Sequence, residues 1–169
     1  MRGSIDLRWW IGGLVAFAIV IAIGAAITQG NVSAGIIEHQ QAGSAARVDE
    51  IQAQWRAGNV RMIAIAAMIG DLVFIAIYGW GSFVAGRSLI ATSQRAARVI
   101  GWVVAVAAVL FVMTDYLETV LQFIQLLQER GVDWMAATAA FAQPIKVAAW
   151  IATFVGVIAG WGAARLGGF

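Results

Sequence analysis

The chain has 169 residues, of which 62% are hydrophobic and 12% are charged, and its formal net charge is +2. A water-soluble domain carries about 25% charged residues, so this composition excludes soluble enzymes, disordered linkers and nucleic-acid-binding domains. The sequence has no cysteine and one histidine, which excludes disulfides, thiolate metal sites and a bis-histidine haem within the chain.

Four long apolar segments follow one another along the chain. A transmembrane helix needs about 20 mostly apolar residues, and segments of that length lie at about 9–28, 62–86, 99–121 and 135–162. None of them alternates between polar and apolar residues as the strands of a membrane barrel do. The sequence therefore predicts an all-α integral membrane protein, with residues 1–169 forming a single bundle of four transmembrane helices.

The uneven distribution of arginines predicts the orientation of this bundle. Arg87, Arg95 and Arg98 lie between the second and third segments with no acid among them, and Arg2 and Arg8 precede the first segment. The other two connections carry charges of both signs. Because positively charged loops stay in the cytoplasm, we expect a multi-pass protein of a bacterial-type inner membrane, with cytoplasmic N- and C-termini and an external first connection.

The first connection, residues 29–60, is too long for a simple turn, and part of it has the pattern of an amphipathic helix. Between residues 44 and 57, Val48, Ile51 and Trp55 recur at helical spacing, while charged residues occupy the other side. We interpret it as an amphipathic helical segment on the outer side of the membrane. It forms either a cap on the membrane surface or a lid over a cavity.

Two further features of this connection concern its ends and its histidine. Ser44 is a candidate N-cap for the amphipathic helix, and residues 33–41 are expected to form a second, short helix. His39 lies in that short stretch. A single histidine without a suitably spaced partner is a poor zinc ligand, so we expect a surface residue and no metal site.

Four ionisable residues interrupt the apolar segments, namely Asp71, Asp115, Glu118 and Lys146. Counting 1.5 Å per residue from each cytoplasmic helix end places all four about 22–28 Å along the bundle, in the outer half of a hydrocarbon core about 30 Å thick. An isolated charge there costs about 2.5–3.5 kcal/mol, so we expect a buried cluster in which Lys146 pairs with at least one acid. Tyr78 and Gln122 share helix faces with the acids and are predicted to belong to this cluster.

The cluster has three carboxylates for one ammonium. Either an acid is protonated, or a cation or a cationic group of a partner occupies the site. The cluster is then a polar lock that fixes the helix register, a binding site, or a path for protons or cations. No phosphate-binding loop and no catalytic constellation accompanies it, so we expect no catalytic residues and no cofactor.

Glycines predict close packing of the helices. Gly156 and Gly160 form a GxxxG motif in the fourth segment, and Gly79 and Gly86 are seven residues apart in the second. Small residues let helix backbones approach each other in membranes. These faces either pack within the bundle or dock against another membrane protein or a second copy of the chain.

Three functional hypotheses follow. The preferred one is a non-enzymatic accessory or assembly subunit, or lipid-contacting module, of a larger membrane complex, because the chain has little soluble mass. The first alternative is a proton- or cation-coupled transporter or channel that uses Asp71, Asp115 and Glu118. The second is a membrane enzyme that acts on a lipid, with a carboxylate as base and Lys146 holding a phosphate. The expected partners are the lipid bilayer and other membrane helices or a second copy, and not nucleic acid.

Overall fold

The structure is a computed structural model that describes residues 5–166, and in that range it contains helices and no strand. In chain order the helices are α1 (Arg8–Ala25), α2 (Ile36–Gln40), α3 (Ala45–Ala57), α4 (Arg61–Ile90), α5 (Arg95–Gln128) and α6 (Asp133–Leu166). Of these, α1, α4, α5 and α6 are long and apolar enough to cross a membrane. The four apolar segments thus coincide with four helices, which indicates a multi-pass membrane protein. Arg2, which was part of the orientation argument, lies outside the described residues.

The long helices differ in length from the apolar segments that predicted them. Helix α5 continues through polar residues at both ends, from Arg95 to Gln128, because arginine and glutamine are good helix formers and extend a helix that is already nucleated. It ends where Glu129 adopts a left-handed conformation with φ of 52°. Helix α1 is shorter than predicted and ends at Ala25, where the Ala26 N–H bonds to the Ile23 carbonyl and closes a tighter turn.

The four long helices pack in the order α1, α4, α5, α6, so that α1 lies against α4 and α6 lies against α5. Glycines allow the backbones to come close. A Cβ atom added to Gly13 of α1 would lie 2.5 Å from Tyr78 Cα, and one added to Gly86 of α4 would lie 2.9 Å from Ala105 N. Both distances are shorter than a van der Waals contact, so only glycine fits at these positions.

The four glycines predicted to mediate helix packing all face neighbours within the same chain. Their nearest side-chain or backbone neighbours are Val112 for Gly79, Ala105 for Gly86, Val104 for Gly156 and Leu89 for Gly160. Each contact joins two long helices of the bundle. The GxxxG face of α6 is therefore used for internal packing, and it is not free to dock against another protein.

Helices α2 and α3 cover one end of the bundle, and we call them the cap. Helix α3 begins after Ser44, whose hydroxyl accepts a hydrogen bond from the Arg47 backbone N–H at 3.4 Å. Val48, Ile51 and Trp55 are buried, and the Trp55 indole donates to the Ala34 carbonyl at 2.7 Å. These apolar side chains attach the cap to the ends of the long helices.

The expectation that His39 lies at the surface is wrong, because its side chain is 1% exposed. The imidazole packs on the Trp55 ring, with the ring centroids 4.9 Å apart. Its Nε2 lies 3.3 Å from Gln52 Nε2. Burial away from water lowers the pKa of His39 from 6.5 to about 4, so the neutral ring is a packing element of the cap.

Candidate functional site

Lys146 of α6 forms two ion pairs with α5. Its Nζ lies 2.9 Å from Asp115 Oδ1 and 2.9 Å from Glu118 Oε1. The side chains of the two acids are 3% and 0% exposed, and that of Lys146 is 12% exposed. Asp115 and Glu118 are three residues apart and therefore project from the same face of α5. The structure thus brings these three predicted residues together as one buried ion-pair triad.

Asp71 lies beside this triad but is not part of it. Its Oδ2 accepts a hydrogen bond from the Thr119 hydroxyl at 2.9 Å. Among residues 5–166, no lysine or arginine nitrogen lies within ion-pair distance of its carboxylate. Asp71 is partly buried. It is therefore a carboxylate without a cationic partner at the edge of the triad.

Tyr78 and Gln122 make their hydrogen bonds outside the triad. The Tyr78 hydroxyl lies 2.9 Å from Thr153 Oγ1, because seven residues of α4 carry it roughly 10 Å along the helix from Asp71. The Gln122 amide donates to the His39 carbonyl at 3.2 Å. Tyr78 therefore links α4 to α6 in a different layer, and Gln122 links α5 to the cap.

The polar face of α5 beyond Glu118 is closed by the protein itself. Gln122 and Gln125 are 2% and 0% exposed. The Gln125 amide nitrogen donates to the Leu121 carbonyl, and its oxygen accepts from the Val132 N–H at 2.9 Å. Their polar groups are thus used to attach the cap and the α5–α6 connection. They do not line an open passage towards the end of the bundle.

A cavity of about 520 Å³ lies next to the triad, between α1 and α6 and beneath α2. Its walls are mostly apolar and include the aromatic side chains Phe17, Phe74, Phe111 and Trp150. Its polar lining includes Glu38, Asp71, Asp115, Thr119, Gln122, Gln143 and Lys146. The cavity therefore combines an apolar volume with one charged wall.

This cavity reaches the surface between α1 and α6 and also beside the cap, where Ile37 of α2 is 57% exposed. Ile21 of α1 and Val147 of α6 both line it, and they are 52% and 41% exposed. Further along the same two helices, the rings of Phe17 and Trp150 meet with their centroids 5.4 Å apart. The gap between the helices is thus closed by aromatic contact at one level and open at the level of the cavity.

The ion pairs of the triad limit what the charged wall can bind. The Lys146 ammonium is bound by two carboxylates, so it is poorly placed to hold a phosphate as the lipid-enzyme hypothesis requires. Within the described chain, histidine, aspartate and glutamate are not grouped as ligands for a metal ion. The acids of the wall that have no ion pair within residues 5–166 are Asp71 and Glu38.

The sequence predicted the residues of the triad and left a cavity beneath the first connection as one of two alternatives, but it did not predict the position or the walls of the cavity. Phe17, Phe74 and Phe111 belong to apolar segments in which aromatic side chains are expected anyway. A cavity between α1 and α6 depends on how far apart two helices lie, and hydropathy does not report that distance. Gly24 and Thr28 at the end of the first segment were the available signal, since small residues there leave space.

Comparison with known proteins was made at three levels. A scan against protein-family models, a search of curated proteins and a search of solved structures each found no match to this chain. Its function is therefore inferred from the cavity and from the ion-pair triad.

Proposed function

We propose that the chain is a non-enzymatic, multi-pass protein of a bacterial-type inner membrane that holds an amphipathic molecule of the bilayer in its lateral cavity. In this role it acts as a lipid-contacting accessory subunit of a larger membrane complex. The observation that carries the proposal is the cavity of about 520 Å³ that opens between α1 and α6. An opening between two helices that span the membrane faces the surrounding lipid, so a molecule of the bilayer can enter it.

The outer surface of the bundle supports its placement in a membrane. Large apolar side chains on all four long helices are about half exposed or more, among them Ile11, Val73, Val106 and Val155. Monomeric soluble proteins rarely expose contiguous apolar surfaces of this extent. Lipid chains are the solvent that suits such a surface.

The distribution of charge supports the proposed orientation. Arg87, Arg95 and Arg98 are exposed at the connection between α4 and α5, at the end of the bundle opposite the cap. The positive-inside rule puts that end in the cytoplasm. The cap and the cavity then lie on the outer side, with the cavity in the outer leaflet.

The size and lining of the cavity suit one ligand of moderate size. Ligand sites have volumes of about 300–1,000 Å³ and are mostly apolar, with a few polar groups that fix the ligand's orientation. Here α1 contributes mainly apolar side chains, whereas α4, α5 and α6 contribute both the aromatic and the charged ones, and Glu38 lies on α2. An apolar chain with a polar headgroup would satisfy both regions.

Filling the cavity tests this proposal. Gly24 of α1 lines the cavity, and a Cβ atom there would have no neighbour within 4 Å. Gly162 of α6 is equally unobstructed but lies outside the cavity, so Gly162→Phe is a matched control for Gly24→Phe. Purified in mild detergent, the wild type and Gly162→Phe should retain bound amphiphile by native mass spectrometry, and Gly24→Phe should lose it. If both variants retain the amphiphile equally, the amphiphile does not bind in the cavity and the proposal is wrong.

The accessory role has its own test. The chain has a mass of 17.9 kDa, and a subunit of a complex should migrate well above the size of its own detergent micelle when native membranes are solubilised mildly. Migration as an isolated chain in native membranes would contradict the accessory role without affecting ligand binding.

A second candidate function is cation-coupled transport, and the position of Asp71 favours it. A carboxylate that lines a cavity and lacks a cationic partner is the type of group that marks ion pathways in membranes. If the chain transports cations, the wild type should carry a cation flux into liposomes, and Asp71→Asn should abolish that flux. If the wild type carries no flux, transport is excluded and ligand binding remains the proposed function.

A further inference from the structure

The charges around the cavity indicate which class of amphiphile it holds. We propose that the cavity binds a lipophilic cation, an organic ammonium or phosphonium group attached to an apolar body, with the Asp71 carboxylate as its counter-ion. This inference rests on the proposed function, because it names the ligand class of the same cavity.

The first argument is the balance of charge. Among the described residues, Lys146 is the one basic residue that lines the cavity, and its ammonium is already bound to Asp115 and Glu118 at 2.9 Å each. An anionic headgroup would therefore meet carboxylates and no available cation. The acids that line the cavity beside Lys146 are Glu38, Asp71 and Asp115. The wall has an excess of negative charge that a cation would neutralise.

The second argument is the geometry of Asp71. Its carboxylate lines the cavity, and in the described structure its hydrogen bond comes from the neutral hydroxyl of Thr119. A hydroxyl donor positions the carboxylate but brings no charge, and the nearby Lys146 ammonium, which attracts Asp71, is shared with the two acids that it contacts directly. A carboxylate away from water is costly without a partner charge, and a bound cation supplies that charge.

The third argument is the aromatic lining. Phe17, Phe74, Phe111 and Trp150 line the cavity together, and neighbouring rings have centroids 5.2–5.8 Å apart. Aromatic faces attract cations through the ring quadrupole, and the attraction is strongest where water is excluded. Aliphatic walls would accept any apolar group equally. A cavity that combines aromatic side chains with two acids lacking an ion pair in the described residues, Asp71 and Glu38, favours apolar molecules that carry positive charge.

The experiment uses two probes of nearly the same shape and opposite charge, tetraphenylphosphonium and tetraphenylborate. Their binding to the purified full chain in detergent is measured by equilibrium dialysis. The variant is Asp71→Asn. Its matched control is Glu50→Gln, which removes one carboxylate from the exposed face of α3, where Glu50 pairs with Arg47 and both side chains are exposed.

We expect the wild type and Glu50→Gln to bind tetraphenylphosphonium alike and Asp71→Asn to bind it about tenfold or more weakly, as loss of a buried charge partner predicts. Tetraphenylborate should show no binding that depends on Asp71. Equal affinity of tetraphenylphosphonium for wild type and Asp71→Asn would overturn the counter-ion assignment. Gly24→Phe provides a second variant that changes no charge, and it should also block the cation; undiminished binding to it would place the cation elsewhere.

The failure of this inference is distinguishable from that of the proposed function. If Gly24→Phe loses its bound amphiphile but the wild type does not bind tetraphenylphosphonium, the cavity holds a ligand that is not a lipophilic cation. If the amphiphile is retained and the cation is not bound, both proposals are wrong.

Competition identifies the source of the cation. If phosphatidylethanolamine displaces tetraphenylphosphonium and phosphatidylglycerol does not, the cavity takes an amine headgroup of a membrane lipid. If neither lipid competes, it takes a free lipophilic cation. Competition by phosphatidylglycerol that is as strong as that by phosphatidylethanolamine would contradict selection by charge.

Discussion

The ammonium nitrogen of Lys146 lies 2.9 Å from Asp115 Oδ1, although the two residues are 31 positions apart in the chain. The contact links α6 to α5, and Glu118 shares it. A lysine in an apolar bundle would otherwise have to reach towards the surface or lose its proton. The pair therefore fixes both the rotation and the register of two neighbouring helices.

Replacing Lys146 alone should be more damaging than replacing the pair. Lys146→Met leaves two buried carboxylates without their cation and should lower the free energy of unfolding by about 3–5 kcal/mol, seen as a lower thermal midpoint in detergent. Adding Glu118→Gln to Lys146→Met should restore part of that loss, because one uncompensated charge is removed.

An exposed ion pair gives the control for this cycle. Arg47 and Glu50 are in contact on the surface of α3, and an exposed pair contributes about 0–1 kcal/mol. Arg47→Met should therefore shift the midpoint little. If Lys146→Met and Glu118→Gln are strictly additive, the two residues do not interact energetically.

Gly86→Ala should destabilise the bundle although alanine is the better helix former. A Cβ atom there would lie 2.9 Å from Ala105 N and 3.0 Å from Gly101 O, and backbone atoms cannot rotate away. Overpacking of this kind costs about 1–3 kcal/mol, more than the gain in helix propensity of about 1 kcal/mol. Gly86→Ala should therefore lower the thermal midpoint of unfolding in detergent. Gly162→Ala, with no neighbour within 4 Å, should be neutral or stabilising, and equal effects of the two variants would contradict close packing of α4 and α5.

The stability of the cap should fall as the pH is lowered below about 6.5. Burial lowers the pKa of His39 from 6.5 in the unfolded chain to about 4 in the folded one. Between these values the unfolded chain binds more protons, so each step down in pH favours unfolding. The full difference corresponds to roughly 3 kcal/mol. Hydrogen exchange of α2 and α3 at pH 7 and pH 5 measures the effect.

The replacement His39→Phe separates this effect from the titration of carboxylates. Phenylalanine can keep the packing on Trp55, which lies 4.9 Å from the imidazole, and it has no proton to gain. Between pH 7 and pH 5 the variant should lose clearly less protection in the cap than the wild type. If the wild type and His39→Phe lose the same protection, groups other than His39 cause the pH dependence.

The orientation can be tested with single cysteines, because the chain has none of its own. Ala53 is exposed on the cap, and Ser93 is exposed in the connection between α4 and α5. In cells whose inner membrane is intact, an impermeant maleimide should label Ala53→Cys and should not label Ser93→Cys. The reverse pattern would invert the proposed topology.

The sequence was sufficient to predict four long helices because hydropathy reports the part of a helix that avoids water. It did not predict their ends. Polar residues extend α5 to Gln128, since a nucleated helix continues through any residue of good helix propensity. A helix also lies at Ala45–Ala57, where Val48, Ile51 and Trp55 recur at helical spacing, which is a local property of the sequence.

The pairing of Lys146 with Asp115 and Glu118 was predictable from depth, since residues at similar heights on adjacent helices can meet. The separation of Tyr78 from that cluster was not, because seven residues along a helix preserve the face but change the height by roughly 10 Å. The burial of His39 depends on where Trp55 and Gln122 lie, and those contacts span 16 and 83 residues of the chain. Long-range geometry of this kind is not encoded in a local pattern.

The ion pairs that neutralise Lys146 all lie within the hairpin of α5 and α6, while α1 pairs with α4 through glycine contacts. In a chain inserted as it is synthesised, the first hairpin needs no charge from the second in order to form. The second hairpin brings Lys146 together with its own acids. Asp71 is the exception, because it belongs to the first hairpin, whereas Thr119 and Lys146 belong to the second. The two hairpins pack against each other through α4 and α5, and this packing completes the cavity.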